Sequence, residues 1–93
     1  MFVGILTIDI HIPENDSLKW KRHVLQSIKD RVRNNFNVSI SEVDNSNLWQ
    51  RTTIGVAVIS NDRTHINQTL QGVISTIDRI PSIEIIDYRI EMM

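Results

Sequence analysis

Apolar and polar positions alternate cleanly at the start of the chain. Phe2, Gly4, Leu6, Ile8, Ile10 and Ile12 fall on one face of an extended segment, with Val3, Ile5, Thr7, Asp9 and His11 on the other. A period of two with one apolar side predicts a strand half-buried against a core. Pro13 and the polar run Glu14-Asn15-Asp16-Ser17 stop it, and Asp16 or Ser17 is suited to cap a following helix. From Leu18 to about Asn35 the period changes to that of a helix: Leu18, Val24, Leu25, Ile28 and Val32 gather into one arc, joined by Phe36 at the exit.

Alternation returns over residues 37–43, where Val38 and Ile40 oppose Ser39 and Ser41. A polar connection, Asp44 to Arg51, leads into a third strand over 52–60, whose β-branched residues suit a sheet. Asn61 or Asp62 can cap a second helix, in which Ile66, Leu70, Val73, Ile74, Ile77 and Ile80 form one stripe before Pro81 ends it. Residues 83–92 read as a last strand. The order β-α-β-β-α-β, in two halves of similar length, predicts an α+β sandwich of ferredoxin-like plan, with residues 1–93 as a single domain. Its sheet would run 4-1-3-2, all neighbours antiparallel, with two helices on one face. A swapped or differently ordered α+β sandwich is the competing plan.

That topology brings particular residues to one pole. The end of strand 1, the start of helix 1, the link between strands 2 and 3 and the start of strand 4 meet there. His11, Ser17, Lys19, Lys21 and Arg22 thus share a side with Trp49, Gln50 and Arg51, and these eight are the candidate contact residues for a partner or an anion. Lys21 is the odd one, since its angle falls inside the apolar arc of helix 1, between those of Ile28 and Val32. It either reaches solvent or pairs with Glu14 or Glu42, or it serves an anion or partner. Trp49 and Arg51 also have two readings: closure of the core with Arg51 on Asp44 or Glu42, or an interface anchor, a role these residue types often fill.

Charge sharpens this picture locally. The formal net charge of the 93 residues is −1, yet six of the ten Lys and Arg fall between 19 and 33, where Asp30 is the one acid. Lys19, Arg22, Lys29 and Arg33 lie at neighbouring helical angles, a basic stripe that is either a solvated face or a contact for RNA or an acidic protein. The overall balance argues against a protein held to nucleic acid by bulk phosphate neutralisation, so DNA is not an expected partner. The absence of cysteine removes disulfides, thiol catalysis and cysteine-bound zinc. His11, His23 and His65 sit on different elements, so neither a metal nor another cofactor is expected. No stretch has the ~18 apolar residues of a membrane span, and the opening segment reads as a strand rather than a signal peptide, which makes the cytoplasm the expected location.

The residues "HIPENDSLKWKRHVLQSIKDRVRNNFNVSISEVDNSNLWQRTTIGVAVISND" resemble the YlxP-like family of small bacterial proteins. The features that carry the likeness are the HIP turn, the S-L-K-x-K-R helix start, the F-N-V-S strand and L-W-Q-R leading to G-V-A-V-x-S-N-D. Trp20 departs from the pattern, standing where an acidic or polar residue is usual. The resemblance covers essentially the whole chain. It implies a ferredoxin-like fold, a bacterial cytosolic protein and genes often placed near translation factors. It implies no activity.

Three classes of function fit these residues. The first, and the one favoured, is an interaction module without evident catalytic machinery that forms a homo-oligomer: Val3, Ile5, Val43, Ala57, Ile59 and Ile85 would form an apolar patch on the open sheet face, and the cationic pole would meet a further protein partner. The alternative is an RNA- or ribosome-associated protein linked to translation. An acylphosphatase-like hydrolase comes third, because residues 11–19 offer neither the glycine-rich loop nor the arginine after strand 1 that such an enzyme uses. Enzymatic activity is therefore not the expectation.

Overall fold

The computed structural model describes residues 1–93. Six elements follow in the expected order: β1 (Phe2–His11), α1 (Leu18–Asn35), β2 (Ser39–Asp44), β3 (Arg51–Ser60), α2 (Arg63–Asp78) and β4 (Glu84–Met92). The strands form one sheet in the order β2-β3-β1-β4, with every neighbouring pair antiparallel, which is the 4-1-3-2 sheet read from its other edge. The ferredoxin-like plan holds.

Ten residue pairs join β1 to β3 without a slip, from Phe2 beside Ser60 to His11 beside Arg51. The alternation of β1 is thereby imposed on its neighbour: Leu6, Ile8 and Ile10 lie next to Val56, Ile54 and Thr52, and all six are buried. Val24, Leu25, Ile28 and Val32 of α1 and Ile66, Leu70, Val73 and Ile77 of α2 close the same core from one side. Gly4 lets α2 approach β1, because a Cβ there would collide with Ile66 Cγ2.

The caps resolve the two choices left open by the sequence. Ser17 Oγ accepts from the Trp20 amide at 3.1 Å, and Asp62 Oδ1 accepts from the Thr64 amide at 2.9 Å.

Two bulges break the simple period. In β4 the register shifts opposite Asp9 and Ile10, which aligns Ile85 with Ile10 and packs it against the core. Ile85 is therefore not part of the outward apolar patch. Strict alternation misassigns it because Ile86 is an extra residue in the strand. In β2 the shift falls between Glu42 and Asp44, and the extra residue Val43 lies over Gly55.

Candidate functional site

Two loops meet at the pole where α1 begins: residues 12–17, after β1, and residues 45–50, between β2 and β3. Their backbones are tied together. The Ile12 amide donates to the Gln50 carbonyl at 2.9 Å, extending the β1–β3 ladder past the strand ends. The buried Asn15 donates its side-chain amide to the Trp49 carbonyl and receives Gln50 Nε2 on its own carbonyl at 3.2 Å. Glu14 and Asn45 adopt left-handed backbone, with φ of 61° and 60°, and so give each loop a sharp corner. Asn is among the residues that tolerate this region best.

Beneath the link lies Lys21, whose side chain is 1% exposed. Its Nζ donates to the carbonyls of Asn45 and Leu48, each at 2.6 Å, and lies 3.1 Å from Glu42 Oε2. The same carboxylate oxygen accepts from Thr52 Oγ1. An ammonium has three N–H bonds, and here three acceptors take them. Lys21 is thus the paired lysine of the two readings, with Glu42 rather than Glu14 as its acid and with its hydrogen bonds spent on holding the link. On the outer side, Asn45 Nδ2 donates to Thr53 Oγ1 at 2.9 Å, and Thr53 Oγ1 donates to Asp9 Oδ1 at 2.7 Å.

A link fixed through its backbone leaves its side chains outside. Leu48 is 44% exposed and Trp49 51% exposed. Gln50 and Arg51 are exposed beside them. Arg51 forms no ion pair: Glu42 is taken by Lys21, and Asp44 does not reach it. On α1, Trp20 is also half-exposed and stacks on His23 with ring centroids 5.0 Å apart. Ser17, Lys19, Trp20, Arg22 and His23 border one shallow depression, and Arg22 also borders a second beside Glu42, Ser46 and Asn47. Lys19 and Arg22 are exposed and unpaired.

The remaining candidates are placed as follows. His11 neighbours Arg51 in the register, with its Nδ1 3.3 Å from Glu84 Oε2. Ser17 uses its hydroxyl as the helix cap. Lys29 is half-buried along the stripe, and Arg33, at the far end of α1, donates to the Ile40 carbonyl at 3.4 Å. The pole thus brings together Lys19, Arg22, Trp49 and Arg51 as outward groups, with Gln50 exposed but tied to the Asn15 carbonyl and His11 at the edge.

Sequence reasoning missed three contributors. Asn15 looked like an ordinary turn residue, and its grip on Trp49 depends on a loop 34 residues away. Leu48 read as part of a polar connection. Trp20 carried one signal, its departure from the pattern of its relatives, and that signal marked an exposed ring. No three His, Cys, Asp or Glu side chains come together in a way that could hold a metal ion, and no helix is long and apolar enough to cross a membrane.

The model of a family described as "Protein of unknown function (DUF503)" matches residues 3–90. The chain is also 44% identical, over 82 residues, to the "Uncharacterized protein YlxP" of Bacillus subtilis (strain 168), an alignment that covers 88% of this chain and 89% of that one. With nearly the whole length matched on both counts, the chain belongs to the DUF503 family and is YlxP-like.

Proposed function

We propose that this protein is a small interaction module that self-associates and offers its α1 pole to a partner protein. One observation carries the reading: Leu48 and Trp49 project, half-exposed, from a link whose carbonyls are gripped from inside by Lys21 and Asn15. A mobile loop would lose conformational freedom on binding, whereas a pinned one has already lost it. Tryptophan and arginine are also the residue types that most often dominate binding energy at protein interfaces. The partner fitting this surface has an apolar recess for Trp49 and Leu48 and carboxylates facing Lys19, Arg22 and Arg51. A cytoplasmic location goes with this reading.

A second reading, an RNA contact, has its own support. Lys19 and Arg22 lie at the start of α1 near the exposed indoles of Trp20 and Trp49, on which bases could stack, and Lys29 and Arg33 continue the basic stripe along the helix. Against it stand the net charge of −1 and an open sheet face that bears Ile5, Thr7, Gly55 and Ala57 in place of stacking rings. Acylphosphatase-like chemistry finds less support, since the β1–α1 loop, residues 12–17, carries neither a glycine nor an arginine to hold a phosphate.

The test is affinity capture from lysate at low and high salt, comparing the wild type with an Arg22→Ala/Trp49→Ala/Arg51→Ala variant shown to be folded. Lys21 stays intact, because its removal would confound binding with stability. A protein retained at high salt by the wild type and lost by the variant supports the module. Recovery of RNA that falls steeply with salt would move the second reading ahead. Equal recoveries would mean that the pole is not a contact surface.

A further inference from the structure

The open face of the sheet is the other large surface without a partner. The unslipped β1–β3 register sets Val3 beside Ile59, Ile5 beside Ala57 and Thr7 beside Gly55. β2 adds Ser39 and Ser41, and Val43 leans over Gly55 so closely that a Cβ there would stand 2.9 Å from Val43 Cγ1. Ile59 is 62% exposed and Val43 60% exposed. Across this region of β2, β3 and β1 the outward positions carry no charge. Charged groups begin only at its margins, where several are matched within the chain: Arg89 with Glu91 at 3.1 Å, His11 with Glu84 at 3.3 Å, and Asp9 with the Thr53 hydroxyl.

We propose that a second copy of this chain covers this face, the two sheets stacking about a two-fold axis. The inference rests on the self-association in the proposed function and names its surface. A two-fold axis sets a patch against itself, so any charge at its centre would tend to meet its like. A neutral centre with charges kept to the margins suits that arrangement. The relief also suits it. Sheets stack about 10 Å apart, and the low row Gly55-Ala57, bordered by Ile5, Val43 and Ile59, gives the larger side chains of one copy a place between those of the other. Four strands about 4.8 Å apart and rising about 3.3 Å per residue present roughly 600 Å² of sheet, which side-chain relief brings toward the ~800 Å² per partner of a standard stable interface.

Sedimentation equilibrium of the full chain, at low and high salt, tests this. The wild type is expected to run as a dimer whose mass survives high salt. An Ala57→Glu/Ile59→Glu variant, altered only at outward positions and checked for folding by circular dichroism, should dissociate at least about a hundredfold more readily, since like charges would be buried facing one another about the axis. The pole variant Trp49→Ala should keep the wild-type mass. A wild-type dimer that Ala57→Glu/Ile59→Glu leaves intact would overturn the assignment of the face while sparing self-association through another surface. A chain that stays monomeric at up to ~1 mM would overturn both, and would leave the face to a different protein.

Discussion

Lys21 has no route to water: with 1% of its side chain exposed, it depends on Glu42 and on the carbonyls of Asn45 and Leu48. Removing the ammonium would leave the Leu48 carbonyl without its donor, the Asn45 carbonyl with only the Leu48 amide, and the Glu42 carboxylate with only the Thr52 hydroxyl. Lys21→Met keeps the stem and most of the volume, so it isolates the polar loss. It should cost about 3 kcal/mol in urea unfolding, the low end of the range for breaking a buried pair, because the Glu42 carboxylate keeps 17% exposure and some water. Trp49→Ala and Arg51→Ala, at exposed sites without hydrogen bonds from their side chains, should each stay within about 0.5 kcal/mol of the wild type. The contrast separates the residue that builds the pole from the residues that the pole exposes. Part of this was legible. The helical period placed Lys21 inside the apolar arc and so required a partner for it, and Glu42 was among the acids in reach. The two carbonyls were not legible, because they turn inward only when Asn45 takes left-handed backbone, which no period encodes.

At the scale of the elements, the link between β2 and β3 behaves as an extension of the sheet rather than as a free loop. Asn15 is the clasp. Asn15→Ala should cost about 1–2 kcal/mol and, more tellingly, speed amide hydrogen exchange at Ile12, whose N–H is held by the Gln50 carbonyl. Unchanged exchange at Ile12 would mean that the link is held without the clasp. Gly4 makes a separate demand on α2. Gly4→Ala forces Ile66 to move in a filled core and should lower stability by about 1–3 kcal/mol, read from the denaturant midpoint. Element boundaries were legible within one or two residues because each period is long and each ends on a cap or a proline. The bulges were not. An inserted residue such as Val43 or Ile86 is itself apolar, so the pattern continues through it while the faces exchange, and that is how Ile85 came to be assigned to the wrong side.

Across the whole molecule, a neutral patch on the open sheet face and a cationic, aromatic pole occupy different surfaces, so the proposed self-association and the proposed partner binding do not compete for one surface. The fold was readable in the sequence because burial acts on every strand and helix at once, and the candidate site was readable only as a location. Which of its side chains project was decided by hydrogen bonds between distant loops, with Asn15 reaching Trp49 and Lys21 reaching Leu48. Salt should distinguish the two surfaces: added salt should weaken capture where Arg22 and Arg51 contribute and leave stacked apolar faces together.

The measurement that bears most directly on the pole is site-specific photocrosslinking in cells, with a benzophenone amino acid placed at position 49 in one protein and at position 68 in another. Trp49 lies on the pinned link, whereas Gln68 is exposed on α2 away from it. A contact surface at the pole predicts a discrete adduct from position 49, absent from position 68 and lost when Arg22 and Arg51 are changed to alanine. The same adducts from both positions, or none from position 49, would contradict it.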